Sequence, residues 1–408
     1  MSALQHGLRA NLPQVLLQLL QVFLVGLTIG MTRTVIPGLA EKEFGLGGQQ
    51  FFLLTTFVVT FGAVKAVMNL FAGRLSDRLG RKKVLIAGWL MALPIPLLLL
   101  YAPTWAWVVF ATALLGINQG LCWTMTLNST LDMAQLSQKG LVNGINEFSG
   151  YAAVGLAGVI TAGLVDIYGA RQGLFLFGSC VIVAGLLIAI FFIKETRPWA
   201  LVHSASITST PAPSLAQAFL YASWQNRSLL ALNQAGLVEK FTDALVWIIL
   251  PIWFVLQQLT LVQGSSIVGV YALVWGASQL ITGPASDRFG RKPLIVGGMW
   301  LCGIGVLLLV LTHSPWLWML EASLIGFGMA MLYPTLGAAV ADMSPPAQRS
   351  TLLGVYRFWR DFGYALGALC MGLLAQWAQS LEVTFWWVGL VMLASGLWVA
   401  LGVHPAKK

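Results

Sequence analysis

The stretch G-R-L-S-D-R-L-G-R-K-K, residues 73–83, puts five cations and one carboxylate into eleven positions. After it, from Val84 to Leu131, come 48 residues without a single Asp, Glu, Lys or Arg. At roughly 20 residues per crossing, that run holds two membrane spans with a polar cluster at their head. The cluster recurs as G-P-A-S-D-R-F-G-R-K-P at 283–293, an offset of 210, and 43 charge-free residues, Ala244 to Ser286, precede the Asp287 of the copy. The same offset pairs Asp132-Met133 with Asp342-Met343, Gly116 with Gly326, Lys139 with Arg349 and Gly144 with Gly354, whereas Pro37 pairs with Pro251 at 214. The chain is a diverged duplication.

Composition agrees with this reading. Of 408 residues 58% are hydrophobic and 9% charged, against about 25% charged in soluble domains. Charge-free runs also separate Arg9 from Arg33, Glu43 from Lys65, Glu147 from Asp166, Arg171 from Lys194, Pro293 from Glu321, Asp361 from Glu382 and Glu382 from Lys407. The prediction is an all-α membrane protein of twelve transmembrane helices in two pseudo-symmetric six-helix bundles. The spans fall near 14–37, 50–72, 84–101, 105–128, 142–165 and 173–193, then 230–256, 265–284, 294–312, 316–340, 350–376 and 384–403. Residues 194–229 form the linker between bundles 1–193 and 230–408, and its S-A-S-I-T-S-T-P-A-P-S centre has the composition of a flexible tether.

The net charge of +9 does not point to nucleic acid, because the basic residues fall in alternate loops. With the N-terminus inside, sixteen loop or terminal cations lie on the cytoplasmic side and only Lys42 and Arg171 on the other. Cationic loops resist translocation, so both termini are expected in the cytoplasm of a bacterial-type inner membrane. The first apolar run reads as a retained helix and not a removed signal peptide. Cys122, Cys180, Cys302 and Cys370 fall singly in apolar runs, with no metal or disulfide spacing.

With its 73–83 signature and weaker copy, its twelve spans and its central linker, the chain resembles the major facilitator superfamily of secondary transporters. The resemblance implies two bundles that rock about a midplane substrate site. It also assigns Gly73, Asp77, Arg78, Gly80 and Arg81, with Asp287, Arg288 and Arg291 of the copy, to a latch that balances inward- and outward-facing states. On physical grounds Gly73 and Gly80 permit a sharp turn, Asp77 can accept from helix N-terminal amides and pair with a nearby arginine, and Lys82 and Lys83 serve as topology determinants. In span four, where many proton-coupled exporters carry Arg in R-x-x-Q-G, this chain has G-I-N-Q-G at 116–120. Asn118 and Gln119 then either join packed helices or line a cavity.

Nine ionisable residues fall within spans: Arg33, Lys65, Lys240, Arg357 and Arg360, with Glu147, Glu239, Asp243 and Asp361. Facing lipid they would cost about 2.5 to 3.5 kcal/mol each, so they must pair, line a wet cavity or, as Arg33 and Lys240 could, snorkel to an interface. Arg357 and Asp361 share a helix face and can pair, and Glu147 sits at the repeat position of Arg357. By resemblance spans two and eleven pack together, which makes Lys65 a partner for Asp361. These charges form either a gate that breaks and reforms or a static packing network, and Glu147 and Asp361 are the expected coupling groups. Glu239 and Asp243 share a face and suit a proton carrier, unless they are merely hydrated near the helix end. Trp123, Tyr151, Trp275, Tyr333 and Tyr356, with Arg33, Asn118 and Gln119, are the substrate-binding candidates.

No nucleotide-binding loop, intramembrane nucleophile with a base or metal-ligand set is visible. The expectation is a monomeric, non-enzymatic secondary transporter without cofactor or metal, whose partners are a small-molecule substrate, protons and the lipid bilayer. Proton-coupled efflux of an amphipathic compound leads. Proton-coupled uptake of an anionic or zwitterionic nutrient, through Arg33, Arg357 or Arg360, is the alternative, and a lipid flippase a further one.

Overall fold

The computed structural model describes residues 5–46, 50–135, 138–204, 214–345 and 348–403. The centre of the linker, 205–213, and the terminal Lys407 and Lys408 lie outside them. The elements are α1 (Leu12–Phe44), α2 (Phe51–Leu79), α3 (Arg81–Ala92), α4 (Ile95–Leu100), α5 (Trp105–Met133), α6 (Lys139–Tyr168), α7 (Ala170–Phe191), α8 (Arg197–Ser204), α9 (Leu215–Leu220), α10 (Arg227–Ala244), α11 (Leu250–Leu256), α12 (Leu261–Phe289), α13 (Arg291–Leu311), α14 (Pro315–Asp342), α15 (Arg349–Ala378) and α16 (Glu382–Gly402). No strand occurs among the described residues.

Ten of these spans are long and apolar enough to cross a membrane. The two predicted spans that fall short, the seventh and the eleventh, hold the densest intramembrane charge. In the seventh, α10 runs into a π-helical turn, Leu245–Ile249, before α11. Pro251 explains the turn: it has no N–H to give the preceding carbonyls and its ring crowds them, so the helix widens by a residue. In the eleventh, α15 keeps its 30-residue length but carries Arg357, Arg360 and Asp361 at its middle.

The signature segment is less of a loop than its glycines suggest. Gly73 lies inside α2 with open space around it, and the whole turn is made by Gly80 at φ 95°; Gly290, at φ 94°, does the same between α12 and α13. A side chain at either position would be strained, because that region of φ is closed to most L-residues.

The chain divides into two compact units, Met1–Leu39 with Val64–Ala212, and Ala40–Ala63 with Pro213–Lys408. In the first unit, α3 packs on α5, α4 and α3 on α7, and α6 on α5 and α7. In the second, α12 and α13 pack on α14, α13 on α16, and α10 on α15 and α16. Both cores are closely packed: Trp89, Leu99 and Ala157 in one and Met299, Val306 and Phe385 in the other are fully covered.

Candidate functional site

Polar groups that packing has buried mark where the chain departs from a plain apolar bundle. In the first unit, Asn118 donates to the carbonyl of Gly88 at 3.0 Å and Gln119 to that of Val25 at 2.9 Å. Both side chains therefore stitch α5 to α3 and α1, the helix-joining option of the two open from sequence. Trp123 donates through Nε1 to Glu147 Oε1 at 2.9 Å, Tyr151 meets its ring edge-on at 5.5 Å, and Lys65 Nζ lies 5.7 Å from its centroid. Thr124 donates to Asn69 at 2.9 Å. Arg33 stands half-buried on α1.

The second unit holds a denser array. Glu239, Lys240 and Asp243 are fully buried on α10, so neither snorkelling nor hydration describes them. Lys240 Nζ lies 3.2 Å from Glu239 Oε1 and 3.1 Å from Asp243 Oδ2. The ammonium separates the two carboxylates that the spacing had placed side by side. Rings enclose it: the centroids of Tyr333, Tyr364 and Trp275 are 4.6, 5.1 and 5.7 Å from Nζ. Tyr364 also donates its hydroxyl to Asp243 Oδ2, and Tyr271 donates to Oδ1 at 3.5 Å. Desolvated, each of these contacts is stronger than it would be in water.

Arg360 lies 4.8 Å from the Tyr333 centroid and 6.0 Å from that of Tyr356, and its Nε pairs with the buried Asp361 at 3.3 Å. Asp361 is thus paired with its sequence neighbour, and Arg357, one turn earlier, is half-buried on the same helix. Tyr333 touches both cations, which joins the Lys240 and Arg360 groups into one aromatic-walled cluster. Tyr271 and Tyr364 were not among the aromatic residues singled out from sequence, because depth along a span does not tell which rings face Asp243. Tyr364, three residues after Asp361 and one turn along the same helix, carried the available signal.

The latch motif takes up a definite geometry in both copies. Arg81 reaches Asp77 at 2.7 Å, Asp132 at 3.1 Å and the Ser76 hydroxyl at 3.0 Å. Arg291 likewise reaches Asp287, Asp342 at 3.1 Å and Ser286. Arg78 and Arg288 are exposed, and Arg288 lies 5.6 Å from the Phe289 ring. The free amides at the start of α3 are satisfied by Glu195, which accepts from Arg81 N at 2.9 Å and Lys82 N at 3.1 Å, where the sequence had suggested Asp77. Thr196 adds a bond to Asp132 at 3.0 Å. The Glu-Thr pair after α7 is short and polar between cations, and only the fold brings it 114 residues back to Arg81.

Comparison with known proteins identifies the family and the fold. The sequence profile described as Major Facilitator Superfamily matches residues 19–236 and 235–408. The chain is 25% identical over 338 residues to a "Probable 4-methylmuconolactone transporter" of Cupriavidus pinatubonensis, covering 78% of this chain and 76% of that protein. It is 23% identical over 377 residues to an uncharacterized MFS-type transporter of Salmonella typhimurium, covering 86% and 87%. The crystal structure of a human organic anion transporter superposes with a TM-score of 0.71 at 15% identity, over 95% of this chain and 99% of that one. The duplicated signature, the twelve-helix two-bundle fold and the profile match over both halves make the chain a member of the Major Facilitator Superfamily, a multi-pass membrane transporter of small solutes.

Proposed function

We propose that this transporter moves a small organic anion together with a proton, in the same direction, across a bacterial inner membrane, with both termini cytoplasmic. One observation carries the reading: a buried cluster in the second unit in which Lys240 and Arg360 share the Tyr333 ring and each pairs with a carboxylate. Two cations against a π-wall suit an anion better than the amphipathic compound that composition favoured. A proton on Asp361 neutralises that carboxylate and frees the Arg360 guanidinium for a substrate carboxylate. Arg360 presents a planar fork of donors, the geometry that carboxylates fit. Empty and unprotonated, the cluster sets three carboxylates against two cations, so each cation is held by the protein's own carboxylates instead of substrate. The name of the Cupriavidus relative supports a small organic substrate.

The test is uptake into proteoliposomes of radiolabelled small carboxylates, 4-methylmuconolactone and a hydrophobic cation, with and without an inward proton gradient. Gradient-driven accumulation of an anion is the expected result. Accumulation of the cation alone, or anion movement indifferent to the gradient, would contradict the proposal.

A further inference from the structure

Two carboxyl groups share the Lys240 ammonium, and the fold serves them unequally. Asp243 accepts at both oxygens, from Lys240 and the Tyr364 hydroxyl at Oδ2 and from the Tyr271 hydroxyl at Oδ1. Glu239 accepts from Lys240 alone, through Oε1 at 3.2 Å. Its Oε2 is buried and has no hydrogen-bond partner among the described residues.

The groups that face Glu239 from the neighbouring helices supply no donor to that oxygen. On α15, Arg360 pairs with Asp361, Tyr364 is bonded to Asp243, and the Tyr356 hydroxyl makes no bond. On α14 the Tyr333 ring lies against Lys240, on α12 Tyr271 is bonded to Asp243, and on α13 the Cys302 thiol donates to the Ile325 carbonyl at 3.5 Å. The remaining neighbour, α16, brings no titratable group beyond Glu382 at its first position. An ionised carboxylate with a bare oxygen in such a place is expensive, and a neutral carboxylic acid much less so. A second anion beside Asp243 would also leave one negative charge on the Lys240 group uncompensated, and like charges this close resist joint ionisation.

We infer that Glu239 holds a resident proton on Oε2 and keeps it throughout the transport cycle. Lys240 is then balanced one to one by Asp243, and Oε1 of the neutral acid still accepts from the ammonium as a carbonyl oxygen does. Glu239 and Asp361 thereby take opposite parts. When its proton leaves, Asp361 has Arg360 to pair with, whereas Glu239 would face an ammonium already held by Asp243. The proton that crosses the membrane is therefore the one on Asp361, and the one on Glu239 keeps the α10 charges matched. This rests on the proton-coupled reading above and separates its moving proton from a fixed one.

The experiment is infrared spectroscopy of the full-length protein in liposomes, paired with transport. A protonated carboxyl group has a carbonyl stretch that carboxylates lack. Subtracting the Glu239→Gln spectrum from that of wild type should reveal one such band, equally strong at mildly acidic and mildly alkaline pH. Glutamine is an uncharged replacement of the same shape, so Glu239→Gln should accumulate anion under a proton gradient at the wild-type level and unfold near the wild-type temperature. Glu239→Met, which also removes the acid, gives the same spectral comparison if the glutamine variant does not fold. A difference spectrum with carboxylate bands in place of the acid band overturns the inference. So does a Glu239→Gln protein that still exchanges anion yet has lost gradient-driven accumulation, since its proton would then be one that moves. Wild type that fails to accumulate anion under the gradient overturns the symport reading, and the spectrum alone then decides the resident proton.

Discussion

The two units build one helix crossing in opposite ways. Where α1 crosses α6, small residues sit on both helices: a Cβ on Gly26 would collide with the Gly150 carbonyl and Ala153, and one on Gly30 with the Val154 carbonyl and Ala157. Where α10 crosses α15, they sit on α15, with Gly363 against the Leu237 carbonyl and the Lys240 Cβ, and Gly367 against Phe241. Gly26 meets Ala153, Lys240 meets Gly363, and Ala153 and Gly363 are repeat partners 210 apart, so Lys240 stands where the first unit has Gly26. Its neighbours Glu239 and Asp243 stand where that unit has Val25 and Ile29. Confining the small residues to the partner helix, with Gly363 and Gly367 where the first unit has Ala153 and Ala157, frees the crossing helix to carry long polar side chains. One half thus spends this position on close packing, and the other on a buried acid–base triad.

If that contrast holds, the largest effect follows from opening the triad. Lys240→Met leaves two buried carboxyl groups without the ammonium between them and should cost about 3 to 5 kcal/mol of stability, read by thermal unfolding in detergent. The triple variant Glu239→Gln, Lys240→Met, Asp243→Asn should unfold near the parent temperature yet fail to transport, because the whole charge set has gone. A single variant as stable as wild type would show that the triad is not buried as a unit.

Next in size are the crossings themselves. Gly26→Ala and Gly363→Ala each push a methyl against backbone and should cost about 1 to 3 kcal/mol, visible as a lowered unfolding temperature. The account is wrong about the swap if only one of the two is sensitive.

A smaller effect separates the latch copies. Asp132 is 13% exposed and bonded to Thr196, whereas Asp342 is 56% exposed, and the Glu195 cap belongs to the first copy. Glu195→Ala should therefore cost about 0.5 to 2 kcal/mol by uncapping α3. It should also increase amide hydrogen exchange around Arg81 while leaving the Arg291 region unchanged. Equal loss of protection in both copies would mean that the cap acts on the whole molecule and not on its own helix.

These contrasts also show what a one-dimensional reading can reach. Spans, repeat and signature were legible because charge-free length and positive clusters are local properties of the chain. The nine intramembrane charges were legible as expensive, and hence as sites. That Lys240 parts Glu239 from Asp243, and that Arg360 reaches its neighbour Asp361, were not, because both outcomes depend on rotamers and on the rings packed alongside. Gly73 looked like a turn residue, yet α2 runs straight through it, since a single glycine at φ 95° suffices seven residues later. Tyr364 and Tyr271 carry no charge, so a search by insertion cost passes over them. Glu195 is far from Arg81 in sequence, and no local pattern joins them.

The claim that the second unit carries the coupling chemistry is tested most directly at Asp361. In proteoliposomes containing Asp361→Asn, anion accumulation driven by a proton gradient should be lost while anion exchange without a gradient persists, because Arg360 is then permanently free for substrate. Gradient-driven accumulation at the wild-type level in that variant would contradict the account.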